Sequence, residues 1–120
     1  MKLRIHADSL RLRLSQSEVA EIAHAGKLED SISFSGGQRL IYALEAAEIP
    51  SMEAKFVDGR MHISIPAETM RKWASSDEVG IEGATPTLRV LIEKDFQCLH
   101  TEGERDTDAF PNPLSDTLVK

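Results

Sequence analysis

Lys2-Leu3-Arg4-Ile5-His6-Ala7-Asp8-Ser9-Leu10-Arg11-Leu12-Arg13-Leu14-Ser15-Gln16-Ser17-Glu18 is the stretch whose reading decides the fold. Leu3 and Ile5 alternate with Lys2, Arg4 and His6, the period of a strand with one buried face. Ala7-Asp8-Ser9 carries turn chemistry. Leu10, Leu12 and Leu14 then alternate with Arg11 and Arg13, which makes a second strand and a hairpin. Ser15 and Glu18 are spaced as a capping box, in which each side chain satisfies the other's backbone amide, so a helix starts here.

Outward from that stretch, Val19, Ile22 and Ala23 share one helical face, and Gly26 stands where a left-handed residue closes a helix. Residues 28–34 and 39–46 read as strands around the Ser35-Gly36-Gly37-Gln38 turn. After Pro50 the order restarts. Ala54 and Phe56 form a strand, Asp58-Gly59 is a hairpin turn, and Met61, Ile63 and Ile65 alternate with His62 and Ser64. Pro66 opens a second helix with Met70, Trp73 and Ala74 on its apolar face. Val79 and Ile81 begin another strand, and Leu88, Val90 and Ile92 run back.

The two passes align at a constant offset of 51 residues. Leu3 and Ile5 fall on Ala54 and Phe56, and Leu10, Leu12 and Leu14 on Met61, Ile63 and Ile65. Val19, Ile22 and Ala23 fall on Met70, Trp73 and Ala74, and Leu28 on Val79. A shorter last turn then brings Leu40 onto Leu88. The pattern predicts an α+β domain built from a duplicated strand-strand-helix-strand-strand unit, with pseudo-repeats at residues 2–46 and 53–95. About eight mostly antiparallel strands would form a barrel or packed sheets, with two short helices, because one unit alone buries too little. The domain is expected to occupy residues 1–100.

The 120 residues fit one domain, with 41% hydrophobic and 28% charged residues. The net charge of −6 argues against general nucleic-acid binding, which needs bases to displace counterions from phosphates. Half of that charge lies at residues 101–120, where Glu102, Glu104, Asp106, Asp108 and Asp116 outnumber Arg105 and Lys120. This acidic segment contains Phe110-Pro111-Asn112-Pro113 and is expected to be a partly disordered tail that can dock through Phe110. One cysteine, Cys98, excludes an internal disulfide. The N-terminus has no apolar signal-peptide core and no run reaches membrane-spanning length, so a cytoplasmic protein without membrane contact is expected.

The strongest polar feature is the row Lys2, Arg4, Arg11 and Arg13 on the outer face of the first hairpin. Four bases in one patch suit an anionic protein or a small anion. The plainer alternative is a solvated strand face that resists aggregation. The equivalent positions of the second unit hold Lys55, Arg60 and His62, a weaker charge. Cys98 and His100, two apart, are the candidates for a metal or redox centre, although zinc sites ordinarily show two such pairs. Lys94 is a candidate partner for Asp95 or Glu45 at a strand end. No nucleotide loop, nucleophile elbow or zinc-protease helix is present, so no catalytic residue and no cofactor are expected. The oligomeric state reads as monomer or homodimer.

The chain resembles a family of small bacterial proteins of unknown function. The resemblance is carried by Lys2-Leu3-Arg4-Ile5, by the stretch from Ser9 to Val19, and by Val79-Gly80-Ile81. It continues through Leu88, Glu93-Lys94-Asp95-Phe96-Gln97-Cys98-Leu99 and Phe110-Pro111-Asn112-Pro113. It implies a stand-alone bacterial protein and supplies no activity or site residue. The residues themselves favour a non-enzymatic binding module that engages an anionic partner through the first hairpin.

Overall fold

A computed structural model describes residues 1–96. The expectations placed on Cys98, His100 and the tail at 101–120 fall outside that range.

Local chemistry sets the elements. β1 (Lys2–His6) and β2 (Ser9–Leu14) form the first hairpin. Ser15 caps α1 (Gln16–Ala25): its Oγ accepts from the Glu18 amide at 3.3 Å, and Glu18 Oε1 accepts from the Ser15 amide at 2.8 Å. Gly26 closes the helix at φ +79°, its amide donating to the Ile22 carbonyl. β3 (Lys27–Ser33) and β4 (Arg39–Ala47) follow, joined through a short 3₁₀ turn. The second half repeats the order with β5 (Glu53–Val57), β6 (Arg60–Pro66), α2 (Ala67–Ala74), β7 (Gly80–Ala84) and β8 (Arg89–Lys94). Asp58 and Gly59 both take positive φ in the β5–β6 turn, as a type I′ hairpin requires.

The described strands make two four-stranded mixed sheets. One runs β1-β2-β8-β7 and the other β3-β4-β6-β5. Each half therefore contributes one hairpin to each sheet. The hairpins meet as central parallel pairs, β2 with β8 and β4 with β6, while the outer pairs are antiparallel. α1 and α2 carry the chain from one sheet to the other.

The registers of the two sheets correspond. Lys2 faces Arg13 as Glu53 faces Ser64, and the match holds to the end of both hairpins. Leu12 faces Ile92 as Ile63 faces Leu44. One sequence expectation is corrected here. Leu28 does not correspond to Val79, because Leu28 faces Leu44 as Ile81 faces Ile92. Leu28 is 6% and Ile81 8% exposed, against 54% for Val79. The connection after α2 is longer, so the apolar residue that reaches the core comes two positions later.

Closure into a barrel, one of the two expected arrangements, does not occur. Each sheet is open, with β1 and β7 as edges of the first and β3 and β5 as edges of the second. Hairpin exchange explains this: the inner strands pair with each other, and the outer strands find no further partner.

One hydrophobic core draws on both halves. Leu10, Leu12 and Leu14 of β2 and Val90 and Ile92 of β8 join Leu44, Ile63 and Ile65 from the other sheet. Ile22 of α1 and Met70 and Trp73 of α2 complete it. Neither half holds a core of its own, since each needs the other's hairpins to cover its apolar faces.

Candidate functional site

β1 and β2 present the basic row on the outer face of the first sheet, because alternate residues point away from the leucines in the core. Lys2 stands opposite Arg13, and Arg4 opposite Arg11. β8 lies on the other side of β2 and places Glu93 beside Arg13. The sequence reading missed what this neighbour does. Glu93 Oε1 accepts from Arg13 Nε at 2.7 Å and lies 3.5 Å from Arg11 Nε. Lys2 Nζ reaches Asp95 at 2.8 Å. The hydrogen bond from Lys2, helped by the Lys2 and Arg13 charges, holds the Asp95 carboxyl below the usual carboxylate range. The Lys2–Arg13 end of the row is thus neutralised by Glu93 of β8 and by Asp95 just beyond it.

The turn end of the hairpin is different. Arg4, Ile5, His6, Ser9 and Arg11 line a groove of 480 Å³. Ser9 Oγ donates to the His6 carbonyl at 2.7 Å and fixes the two strands there. Arg4 forms no hydrogen bond or ion pair with another described residue. Its direct neighbour across the ladder is another arginine, an arrangement that costs stability unless an anion lies between. Of the four bases singled out in the sequence, Arg4 and Arg11 face this groove, Arg11 also lying 3.5 Å from Glu93, while Lys2 and Arg13 turn toward acids.

The equivalent face of the second sheet carries no such excess. His62 Nε2 lies 2.9 Å from Glu45 Oε1, and Arg60 pairs with Glu29. Lys55 occupies the position that Arg4 holds in the first sheet, with His62 opposite it in place of Arg11.

A larger cavity of 1120 Å³ lies along α1, bounded by Leu14 of β2, Ala74 of α2 and the segment from Lys94 to Phe96. Three of its polar lining residues are engaged in structural contacts. Ser15 caps α1, Asp95 holds Lys2, and Lys94 Nζ donates to the Ser76 carbonyl at 2.6 Å while standing 5.4 Å from the Trp73 ring centre. Lys94 therefore pairs with neither Asp95 nor Glu45, because Lys2 and His62 occupy those carboxylates.

A third polar cluster gathers around the Met1 amino group. It donates to Glu18 and, at 2.9 Å, to Asp30, while Tyr42 Oη donates to the Met1 carbonyl at 3.1 Å. Burial alone would lower the amine's pKa, but the hydrogen bonds and charges of Glu18 and Asp30 outweigh it and raise the value. Burial likewise works against ionised Glu18, and the Met1 amine and Ser15 amide overcome it and lower that pKa. Tyr42 is shifted upward, first by burial and then by the Asp30 and Glu18 charges. The cluster ties the start of β1 to α1, β3 and β4. No local signal could reveal contacts this distant in sequence.

Among the described residues no group of three or more His, Cys, Asp or Glu side chains could hold a metal ion. No helix of the described residues is long and apolar enough to cross a membrane.

No curated protein and no solved structure matches the chain. A family model does match, over residues 1–114, and it describes a family of unknown function, DUF7009. That match spans nearly the whole sequence, and the chain belongs to this family.

Proposed function

We propose that the chain is a non-enzymatic binding module whose first hairpin holds an anionic group, a carboxylate or phosphate, presented by a partner protein. The observation that carries this reading is the Arg4–Arg11 pair. Two arginines face each other over a groove, and Arg4 has no acid beside it among the described residues. Planar guanidinium groups in such a pair can bind an anion with several charge-assisted hydrogen bonds. In the larger cavity Ser15, Lys94 and Asp95 are tied up in structural contacts, which favours binding over catalysis. The chain's overall acidity favours a small anionic determinant over nucleic acid.

The corresponding registers of the two sheets support descent from a duplicated unit, in which the first hairpin kept or gained the basic pair that the second lacks. The single cysteine fits a bacterial, cytoplasmic setting. The alternative, a metal or redox centre on Cys98 and His100, rests on their spacing alone; elemental analysis tests it, and a metal-free protein with an ordinary thiol removes it.

The test of the main reading is calorimetric titration of hexaglutamate into the wild type and an Arg4→Gln/Arg11→Gln variant. Loss of affinity by about tenfold or more is expected, since each charge-assisted hydrogen bond is worth about 1.5–3 kcal/mol. Equal affinity in both proteins refutes the reading.

A further inference from the structure

The two open sheets leave four strand edges, and three of them are defended against pairing with another chain. β1 carries Lys2, Arg4 and His6 on one face, so two copies of it repel each other. β3 holds Glu29 and Asp30, which Arg60 and the Met1 amine already engage. β7 has glycine at 80 and 83, which weakens a strand, and its Glu82 lies 3.7 Å from Arg89. β5 differs. Glu53 and Lys55 lie exposed on its outer face, neither with a partner among the described residues, and Phe56 and Val57 are 64% and 62% exposed.

From this contrast we infer that β5 is the interface of a two-fold homodimer, in which it pairs antiparallel with β5 of a second copy and joins two four-stranded sheets into one of eight strands. Backbone, charge and apolar contacts all select a second copy as the occupant. Val57 and Arg60 flank the two-residue turn and bond each other, so alternation turns the amides and carbonyls of Ala54 and Phe56 to the free edge. A further antiparallel strand can use them all.

Centring that pairing on Ala54 sets Glu53 directly opposite Lys55 of the second copy, and the two-fold axis repeats the contact. On the inner face the same register sets Met52, half-buried, opposite the exposed Phe56 ring of the second copy. The neighbouring registers are worse. Centring on Lys55 brings two lysines together, and centring on Phe56 runs the pairing into the Asp58-Gly59 turn. One strand edge thus holds both members of each contact, as an isologous interface requires. The interface lies on the second sheet and does not depend on the anion site of the first hairpin.

The experiment is sedimentation velocity of the full chain over a concentration series. A single strand pair is smaller than the roughly 1,600 Å² of a standard interface, so a dimer dissociating between about 10 μM and 1 mM is expected. Glu53→Lys and Lys55→Glu each turn two attractive pairs into repulsive ones, and each is expected to weaken dimerisation by about tenfold or more. Mixing these two variants sets lysines against glutamates again and is expected to restore a dimer, now of unlike chains. The double variant Glu53→Lys/Lys55→Glu is expected to dimerise as the wild type does, which separates loss of charge pairing from loss of the fold. A wild type that stays monomeric at about 2 mM overturns the inference. So does a dimer that neither single variant weakens, or a mixture of the two that associates no better than each alone.

Discussion

Replacing Leu12 with alanine tests whether the two halves share one core. Leu12 lies at the centre of β2, is 1% exposed, and faces Ile92 of the second half. Its truncation removes three buried carbons and leaves a cavity between strands that are held by pairing on both sides. Leucine-to-alanine changes of this kind cost about 2–5 kcal/mol, and a rigid central strand belongs in the middle of that range, about 3 kcal/mol. With a urea m-value of about 1.5 kcal/mol per molar, the midpoint falls by about 2 M. The assay follows unfolding by Trp73 fluorescence and by far-ultraviolet circular dichroism. Trp73 is the only tryptophan, is buried in α2, and belongs to the second half, whereas Leu12 belongs to the first. Exchanged hairpins require both signals to shift together by the full amount. A Trp73 transition that stays at its wild-type midpoint, while the circular dichroism splits into two steps, refutes the shared core. Ile63→Ala, at the corresponding position of β6 and also 1% exposed, should give a loss of similar size.

Three further outcomes follow from the geometry. Stability should hold level between about pH 4.5 and 8.0, the ordinary values of Glu18 and the Met1 amine. The amine's raised pKa makes its contribution complete below 8.0 and lost as pH rises through the folded value, whereas lowered Glu18 loses its contribution as pH falls through its own; acetylating Met1 should remove the alkaline limb and cost about 1 kcal/mol in a thermal melt. Ala7 holds φ +49° in the first hairpin turn, so Ala7→Gly should stabilise by about 0.5 kcal/mol, and Gly59→Ala should destabilise by about 1–3 kcal/mol because φ is +76° and the new Cβ would meet the Arg39 carbonyl at 3.0 Å. Glu93→Gln should raise hexaglutamate affinity severalfold by releasing Arg11, and an unchanged or weaker affinity in titration would remove Glu93 from the account.

The elements were legible because their signals are local. Alternating leucines mark β2, the Ser15–Glu18 pair marks the start of α1, and Asp58-Gly59 marks a turn. The partner of each hairpin was not legible, because β2 and β8 meet across most of the described chain and nothing in either strand names the other. The same gap hid the register of β7. Val79 and Ile81 have the same parity, so alternation cannot choose between them, and the length of the connection after α2 decides. The candidate site was half legible for the same reason. The four bases are visible in the hairpin, but that Glu93 and Asp95 engage three of them depends on β8 lying beside β2. The Met1 cluster joins the residue before β1 to three elements and leaves no trace in any one of them.

The anion site is tested most directly by titrating inorganic phosphate and hexaglutamate into the isotopically labelled full chain and mapping the amide shifts. Saturable movement is expected at Arg4, His6, Ser9 and Arg11, with smaller movement at Lys2 and Arg13 and progressive loss of binding as salt rises. Movement centred on Lys55 and His62 of the other sheet, or no saturable movement at the first hairpin with either probe, would contradict it.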